Sequence, residues 1–350
     1  MKSYTLLVVL LFFSSLISAT SLQITGYLPS YRLESAERAL GSPVLDLSGY
    51  RPEFLANRQI GQQNLEYSYN TLPYSYDHHS IESWYGLNVD HIIYFSLKPG
   101  KEGSLDLSEI KERDLSRLKN MKHSYGTELT IAVSGSSSLF GPMTADEGFR
   151  TDFLYSLLIF CEQNDFSGVD FDWEFPKTGV EMDSYELLVK EAVNILSVRN
   201  ITVSAAVSRD RPLKQEIYND LHTLNLMAYD FRGRHSTFES AIEAAEFLQI
   251  AYKVPPGKIN LGIPFYGRIF SGLNPLYWTK SMIYRDIRDE YNIKPSQDEA
   301  GGFYYNGIDT VRKKTNYARE NKLGGIMIWE LGQDSLDEFS LLKAIREEIQ

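Results

Sequence analysis

The sequence predicts an α/β fold, a (β/α)8 TIM barrel in a single domain with long loops after strands 1 and 7. Three observations predict it: eight short apolar, β-branched runs, amphipathic stretches alternating with them, and polar or aromatic residues gathered at the ends of the runs. The runs fall at 22–27, 91–96, 129–134, 168–174, 201–207, 224–229, 259–264 and 325–329. Stretches at 105–123, 149–163, 184–198, 237–252 and 309–321 carry the helical period. Strands alternating with helices fit a closed parallel barrel and, less well, an open doubly wound sheet. No Gly-x-Gly-x-x-Gly follows the first run, which removes the main support for a dinucleotide-binding sheet. The run ends read Tyr27, Ser96, Ser134, Glu174, Ser208, Tyr229-Asp230, Tyr266 and Trp329-Glu330, whereas an open sheet would gather such groups at one switch point.

In chain order, residues 1–19 read as a signal peptide, with a basic start at Lys2, an apolar run over 6–17 and the small Ala19 at the cleavage edge. The run is shorter than the roughly 20 apolar residues that a span requires. Residues 20–350 are therefore expected to form one secreted, monomeric barrel with no membrane attachment after cleavage. The loop over 32–84 is rich in tyrosine (Tyr50, Tyr67, Tyr69, Tyr74, Tyr76), and that over 268–323 contains Tyr277-Trp278 and Phe303-Tyr304-Tyr305. Both far exceed the usual connection of about 4–6 residues, and both are expected to wall a cleft. Cys161, the only cysteine, sits in an apolar helical stretch and is expected to be a buried small hydrophobe. With one cysteine and six scattered histidines there is no tetrahedral zinc pattern, so neither a metal nor a cofactor is expected, and His78-His79 reads as a solvated pair.

The formal net charge of -11 argues against nucleic acid as a partner. The 23 Tyr, 18 Phe and 4 Trp suit a carbohydrate cleft, because sugars offer flat C–H faces and little charge. The chemistry is concentrated in Val169-Asp170-Phe171-Asp172-Trp173-Glu174. Side chains alternate along a strand, so Val169, Phe171 and Trp173 face the helices and Asp170, Asp172 and Glu174 the barrel axis, at about 6–7 Å between alternate residues. Unpartnered buried carboxylates are costly, which leaves no structural purpose for three in a row. Their repulsion raises at least one pKa, and a glutamate at the mouth that keeps its proton is a suitable general acid. Glu174 is the longest and outermost. Metal binding is the rival use, but residues stacked in line on one strand do not converge on one ion.

Gly168-Val169-Asp170-Phe171-Asp172-Trp173-Glu174-Phe175-Pro176 resembles the signature of the family 18 glycoside hydrolases, the chitinases and their relatives. The resemblance extends through Gly26-Tyr27, Met227-Ala228-Tyr229-Asp230, Gly262-Ile263-Pro264-Phe265-Tyr266-Gly267-Arg268 and Gly324-Gly325-Ile326-Met327-Ile328-Trp329, in the right order. It implies a substrate-assisted mechanism, in which the N-acetyl group of the sugar is the nucleophile. On that resemblance Glu174, Asp172, Asp170 and Tyr229 are the catalytic residues. Glu174 would protonate the glycosidic oxygen, Asp172 would hold the acetamido N–H, and Tyr229 would orient its oxygen. Asp170 would share a proton with Asp172, supported from beneath by Tyr27 and Ser134. Trp329 would floor the sugar, and Met227, Asp230, Tyr266 and Arg268 would complete the substrate site. The implied partner is chitin or an N-acetylglucosamine oligosaccharide.

Two positions depart from the family pattern. Ser167 stands where an aspartate is usual and is expected to bond to Asp170, weakening the push on the acidic cluster. Ser134-Gly135-Ser136-Ser137 lacks the usual pair of glycines. The second long loop is too short for the full α+β domain of some relatives, which predicts an open groove and internal cuts. The alternatives are an endo-β-N-acetylglucosaminidase acting on N-glycans and a non-catalytic chitin-binding lectin. Asn200-Ile201-Thr202 forms an N-glycosylation sequon.

Overall fold

The computed structural model describes residues 22–33, 81–270 and 278–349. The signal peptide over 1–19, the five loop tyrosines over 50–76, His78-His79 and Tyr277 lie outside the described residues. Eight parallel strands form the barrel: β1 (Gln23–Pro29), β2 (His91–Pro99), β3 (Glu128–Gly135), β4 (Gly168–Trp173), β5 (Thr202–Val207), β6 (Thr223–Leu226), β7 (Ile259–Pro264) and β8 (Gly325–Trp329). Each pairs with its sequence neighbours, and β1 pairs with both β2 and β8, so the sheet closes. The helices around it are α1 (Ile81–Asn88), α2 (Glu112–Tyr125), α3 (Glu147–Gln163), α4 (Gly179–Leu196), α5 (Gln215–Asp220), α6 (Phe238–Ala251), α7 (Ile308–Glu320) and α8 (Leu341–Ile349). The barrel expected from the sequence is the one observed.

The core divides into two apolar clusters. The larger lies between strands and helices; the smaller fills the barrel's interior with Tyr27, Ile93, Ala132, Tyr229, Tyr266 and Met327, and Phe95, Met227 and Trp329 pack on it. The alternation along β4 selects between them. Val169, Phe171 and Trp173 enter the outer cluster, where Trp173 stacks on Phe140 at 4.9 Å and 8°, while Asp170 and Asp172 are buried on the other face. Cys161 is fully buried in the outer cluster, and burial pushes its thiol up to about 12.

Three elements differ from expectation. The stretch over 105–123 starts with a two-residue strand, Leu105–Asp106, and the helix begins only at Glu112. The Asp106 carboxylate accepts from Ser108 N at 2.9 Å, a local bond that competes with helix. The run over 224–229 leaves the ladder after Leu226, where Ala228 N donates to Leu226 O and Asp230 adopts a left-handed backbone with φ 60°. The connection after β7 is a folded insertion, not an open loop. Tyr266–Phe270 lies between Trp278–Ile283 and Phe303–Tyr304 in an antiparallel sheet, with Glu299–Ala300 outside and a helix at Tyr284–Tyr291.

Candidate active site

The carboxylates of β4 sit in three different environments. Asp170 is fully buried, and both of its oxygens are engaged: Tyr27 OH donates to one at 2.6 Å, and Ser204 Oγ (2.5 Å) and Asn225 Nδ2 (2.8 Å) donate to the other. Burial still raises its pKa, against the three bonds that lower it. Asp172, next outward, is 5% exposed, and its Oδ1 has no partner among the described residues. Burial raises its pKa well above the ordinary value, and the charges of Glu174 and Asp170 raise it further. The proximity of the two groups pushes the pKa of Asp172 up and that of Glu174 down, so Asp172 is the member of the pair pushed further toward its protonated form. Both oxygens of Asp170 are filled by three other donors, none of them Asp172, so the expected sharing between Asp170 and Asp172 is not the arrangement found.

Glu174 is exposed at the C-terminal mouth. The protein around its carboxyl raises its pKa, Asp230 raises it further, and the neighbouring Asp172 opposes both. Its backbone is fixed from three sides. Glu174 N donates to Gly135 O at 3.0 Å, Ser137 Oγ donates to Phe175 O at 2.9 Å, and a capping box starts α4 a few residues later, with Thr178 Oγ1 accepting from Glu181 N and Glu181 accepting from Thr178 N. A short, tied connection on a rigid strand holds the longest carboxylate in place.

The other expected residues converge on the same mouth. Tyr229 is buried in the inner cluster, its hydroxyl 3.8 Å from Met327 Sδ, and its pKa is raised by burial and then by Tyr266 and the acidic groups. Gly262 gives its ring room: a Cβ there would lie 2.2 Å from Leu226 O and 3.0 Å from the Tyr229 ring. Trp329 is half-buried against Tyr27 at 5.3 Å and Phe95 at 5.1 Å, and Met227 packs beside them. Ser134 pairs in register with Asp172, but its hydroxyl bonds to Ser96 Oγ at 2.9 Å and does not support Asp170. Asp230 joins the barrel to the insertion: Tyr266 OH donates to it at 2.8 Å, and Arg268 binds both its oxygens, Nη2 at 2.6 Å. His235, whose Nδ1 lies 3.4 Å away, and the Arg268 guanidinium overcome the effect of burial and hold Asp230 down to about 2.

Sequence reasoning missed four contributors. Ser204 and Asn225 hold Asp170 from the neighbouring strands, and Asn260 Nδ2 donates to Asn225 Oδ1 at 3.0 Å to hold that amide. Their signal is a lone polar residue at an inward position of an otherwise apolar run. Glu330, 1% exposed, pairs with Arg32 and accepts from Tyr31 OH (3.0 Å) and Gln333 Nε2 (2.7 Å), which ties the end of β8 to the chain after β1.

Ser167 does not reach Asp170. It lies at the N-terminal end of β4, where its hydroxyl donates to Glu128 Oε2 at 2.6 Å and Leu129 O at 3.2 Å. The weaker push expected from this departure has no structural basis. Ser167→Asp should set a carboxylate against Glu128 and cost about 1 kcal/mol, leaving the pH–rate profile unchanged. Thermal melting beside a pH–rate profile checks both. Asn200 of the sequon is exposed at the same end.

A family model described as "Glycosyl hydrolases family 18" matches residues 66–334. The chain is 25% identical over 292 residues to Probable chitinase 10 of Drosophila melanogaster, covering 63% of this chain and 13% of that protein. It is 23% identical over 312 residues to Chitotriosidase-1 of Mus musculus, covering 69% and 67%. With Putative chitinase 1 of Margaritifera margaritifera the identity is 23% over 277 residues, and 59% of that protein is covered. The chain thus spans less than two thirds of two of these three relatives. The fold superposes on the GH18 chitinase ChiB of Flavobacterium johnsoniae with a TM-score of 0.70 at 24% identity, covering 94% of each chain. It superposes on a chitinase of Cycas revoluta, solved in complex with (GlcNAc)4, with a TM-score of 0.68 at 18% identity, covering 93% of this chain and 99% of that one. The matched residues run from before β2 to beyond β8 and take in the whole acidic strand, and on that match the chain belongs to glycosyl hydrolases family 18.

Proposed function

We propose that this protein is a secreted, retaining chitinase that cuts β-1,4 links between N-acetylglucosamine units, with Glu174 as general acid. The observation that carries the reading is the graded carboxylate ladder: Asp170 saturated with donors, Asp172 buried with its Oδ1 unpartnered among the described residues, and Glu174 exposed at the mouth. Glu174 gives its proton to the glycosidic oxygen as the acetamido oxygen of the same sugar attacks C1 and the C1–O bond breaks. The oxazolinium ion that results carries positive charge beside Asp172, whose Oδ1 is placed to accept the acetamido N–H. Tyr229, buried beside the ladder, orients the acetamido oxygen, and Trp329 provides the apolar floor. Glu174, now a carboxylate, takes a proton from water as the water attacks C1, which gives net retention.

Support for an N-acetylglucosamine oligomer comes from the relatives named as chitinases and from the neighbour solved with (GlcNAc)4. The compact insertion after β7 suits an open groove and internal cuts. Chitohexaose and a high-mannose glycopeptide, each incubated with the protein and followed by product analysis and anomer-resolved NMR, test the reading. β-Anomeric chitooligosaccharides are expected. Cleavage of the glycopeptide alone would move the substrate to N-glycans, and binding of chitohexaose without cleavage would make the protein a lectin.

A further inference from the structure

Lys314 lies in the middle of α7, fully buried where that helix meets the turn after β6. Its Nζ donates to Ser236 O at 3.0 Å, Ser236 Oγ at 2.8 Å and Asn306 Oδ1 at 2.8 Å. Three neutral acceptors thus use every N–H of an ammonium. Burying a charge among neutral groups is costly, and a methionine would fill the same space, so packing alone does not account for a lysine here. Burial pushes its pKa down to about 7, against Asp298 and Glu239, which raise it. The acceptors knot two parts of the site together. Asn306 follows the insertion strand Phe303–Tyr304, whose Tyr304 pairs with Arg268, and its Nδ2 donates to Ser236 O at 2.6 Å. Ser236 ends the turn that starts at Tyr229 and Asp230, within which Phe231 N donates to His235 O at 3.0 Å. The Ser236 hydroxyl has one proton and two acceptors in reach, Ala228 O at 3.3 Å and Asn306 Oδ1 at 3.1 Å.

We propose that Lys314 is a positioning residue of the active site: its ammonium occupies Asn306 Oδ1, so that the single Ser236 proton goes to Ala228 O and fixes the peptide that carries Tyr229. An ammonium is a stronger donor than a hydroxyl and takes the better acceptor. Ala228 O belongs to the peptide joining Ala228 to Tyr229, just past the point where the run leaves the β6 ladder at Leu226. Sheet bonds no longer hold the chain there, and a side-chain bond takes their place. Without the ammonium the Ser236 proton turns to Asn306 Oδ1, and Ala228 O is left buried without this donor. Lys314 therefore acts on Tyr229 through Ser236 and touches no substrate itself.

The proposal rests on the chitooligosaccharide reading above, in which Tyr229 orients the acetamido oxygen as it attacks. A displaced Tyr229 should then weaken binding of the transition state more than binding of the substrate. Calorimetric titration at about pH 6, below the pKa of Lys314, separates the two, and its stoichiometry reports the folded fraction apart from affinity. In a Glu174→Gln background, Lys314→Met is expected to raise Kd for a thiazoline analogue of the oxazolinium ion about 10-fold, and Kd for chitotetraose less than about threefold. Ser236→Ala keeps the Lys314 bonds to Ser236 O and Asn306 Oδ1 and removes only the hydroxyl. It should show the same split, and the double variant should lose no more than the larger single one. Unchanged thiazoline affinity in Ser236→Ala, an equal loss of chitotetraose affinity, or additive losses in the double variant would overturn the proposal. If Lys314→Met does not fold, Ser236→Ala decides alone. Hydrogen exchange needs no ligand: amides over 227–231 are expected to exchange faster in Ser236→Ala, while those of β2 keep wild-type rates. Unchanged exchange over 227–231 overturns the proposal. If wild type binds neither ligand, the functional reading fails, and the exchange rates still decide whether Ser236 holds the turn.

Discussion

Glu174→Gln is expected to lower kcat on chitooligosaccharides by about 10²–10⁴-fold, the usual contribution of a positioned general acid. Oligosaccharide affinity should stay within about threefold, because glutamine keeps the length and an acceptor and loses only the transferable proton. Wild type provides the matching pH test. The acid must be protonated to act, so activity is lost as pH rises through the pKa of Glu174. The protein around its carboxyl and then Asp230 raise that pKa, while the neighbouring Asp172 pulls it down. The alkaline limb of kcat/KM should therefore lie above the range of an ordinary glutamate, and the limb should be absent from whatever residual rate Glu174→Gln retains. A variant that keeps more than a tenth of wild-type kcat would remove Glu174 from the role. Weakened binding with unchanged kcat would make it a binding residue only.

The acidic strand was legible because its period of two is so short: three carboxyls at alternate positions between Val169, Phe171 and Trp173 have one arrangement in a strand with both faces buried. The barrel was legible for a related reason, since eight runs with polar ends imply a shared functional face. Of the partners of Asp170, Tyr27 was expected, and Ser204 and Asn225 were not. Ser204, Asn225 and Asn260 are single polar residues in separate apolar runs, and only closure of the barrel brings their side chains together. The insertion carried a signal that went unread. Gly301 and Gly302, both at positive φ, form the two-residue turn between the paired residues Ala300 and Phe303, which marks a hairpin.

Asp170→Ala should be the most destabilising change in the site. It removes the acceptor of Tyr27, Ser204 and Asn225 at a fully buried position, at a cost of about 3–5 kcal/mol. Activity should fall with it, because the charge of Asp170 helps to raise the pKa of Asp172. Asp170→Asn separates shape from charge. The amide keeps one acceptor, and the Tyr27 and Ser204 hydroxyls can turn to accept from its NH2, so the loss should be smaller, about 1–2 kcal/mol. The pH dependence then has a definite sign. Burial raises the pKa of Asp170 in the fold above its value in the unfolded chain. Between those two values the folded state binds more protons than the unfolded state, and stability falls as pH rises. Asparagine has no such titration, so the stability advantage of wild type over Asp170→Asn should be largest at the acid end of that window and shrink as pH rises through it. Denaturant midpoints for both proteins from pH 4 to pH 8 measure this. An advantage that grows with pH would mean that Asp170 is held as a stabilised carboxylate by its three donors, and that the ladder is protonated in a different order.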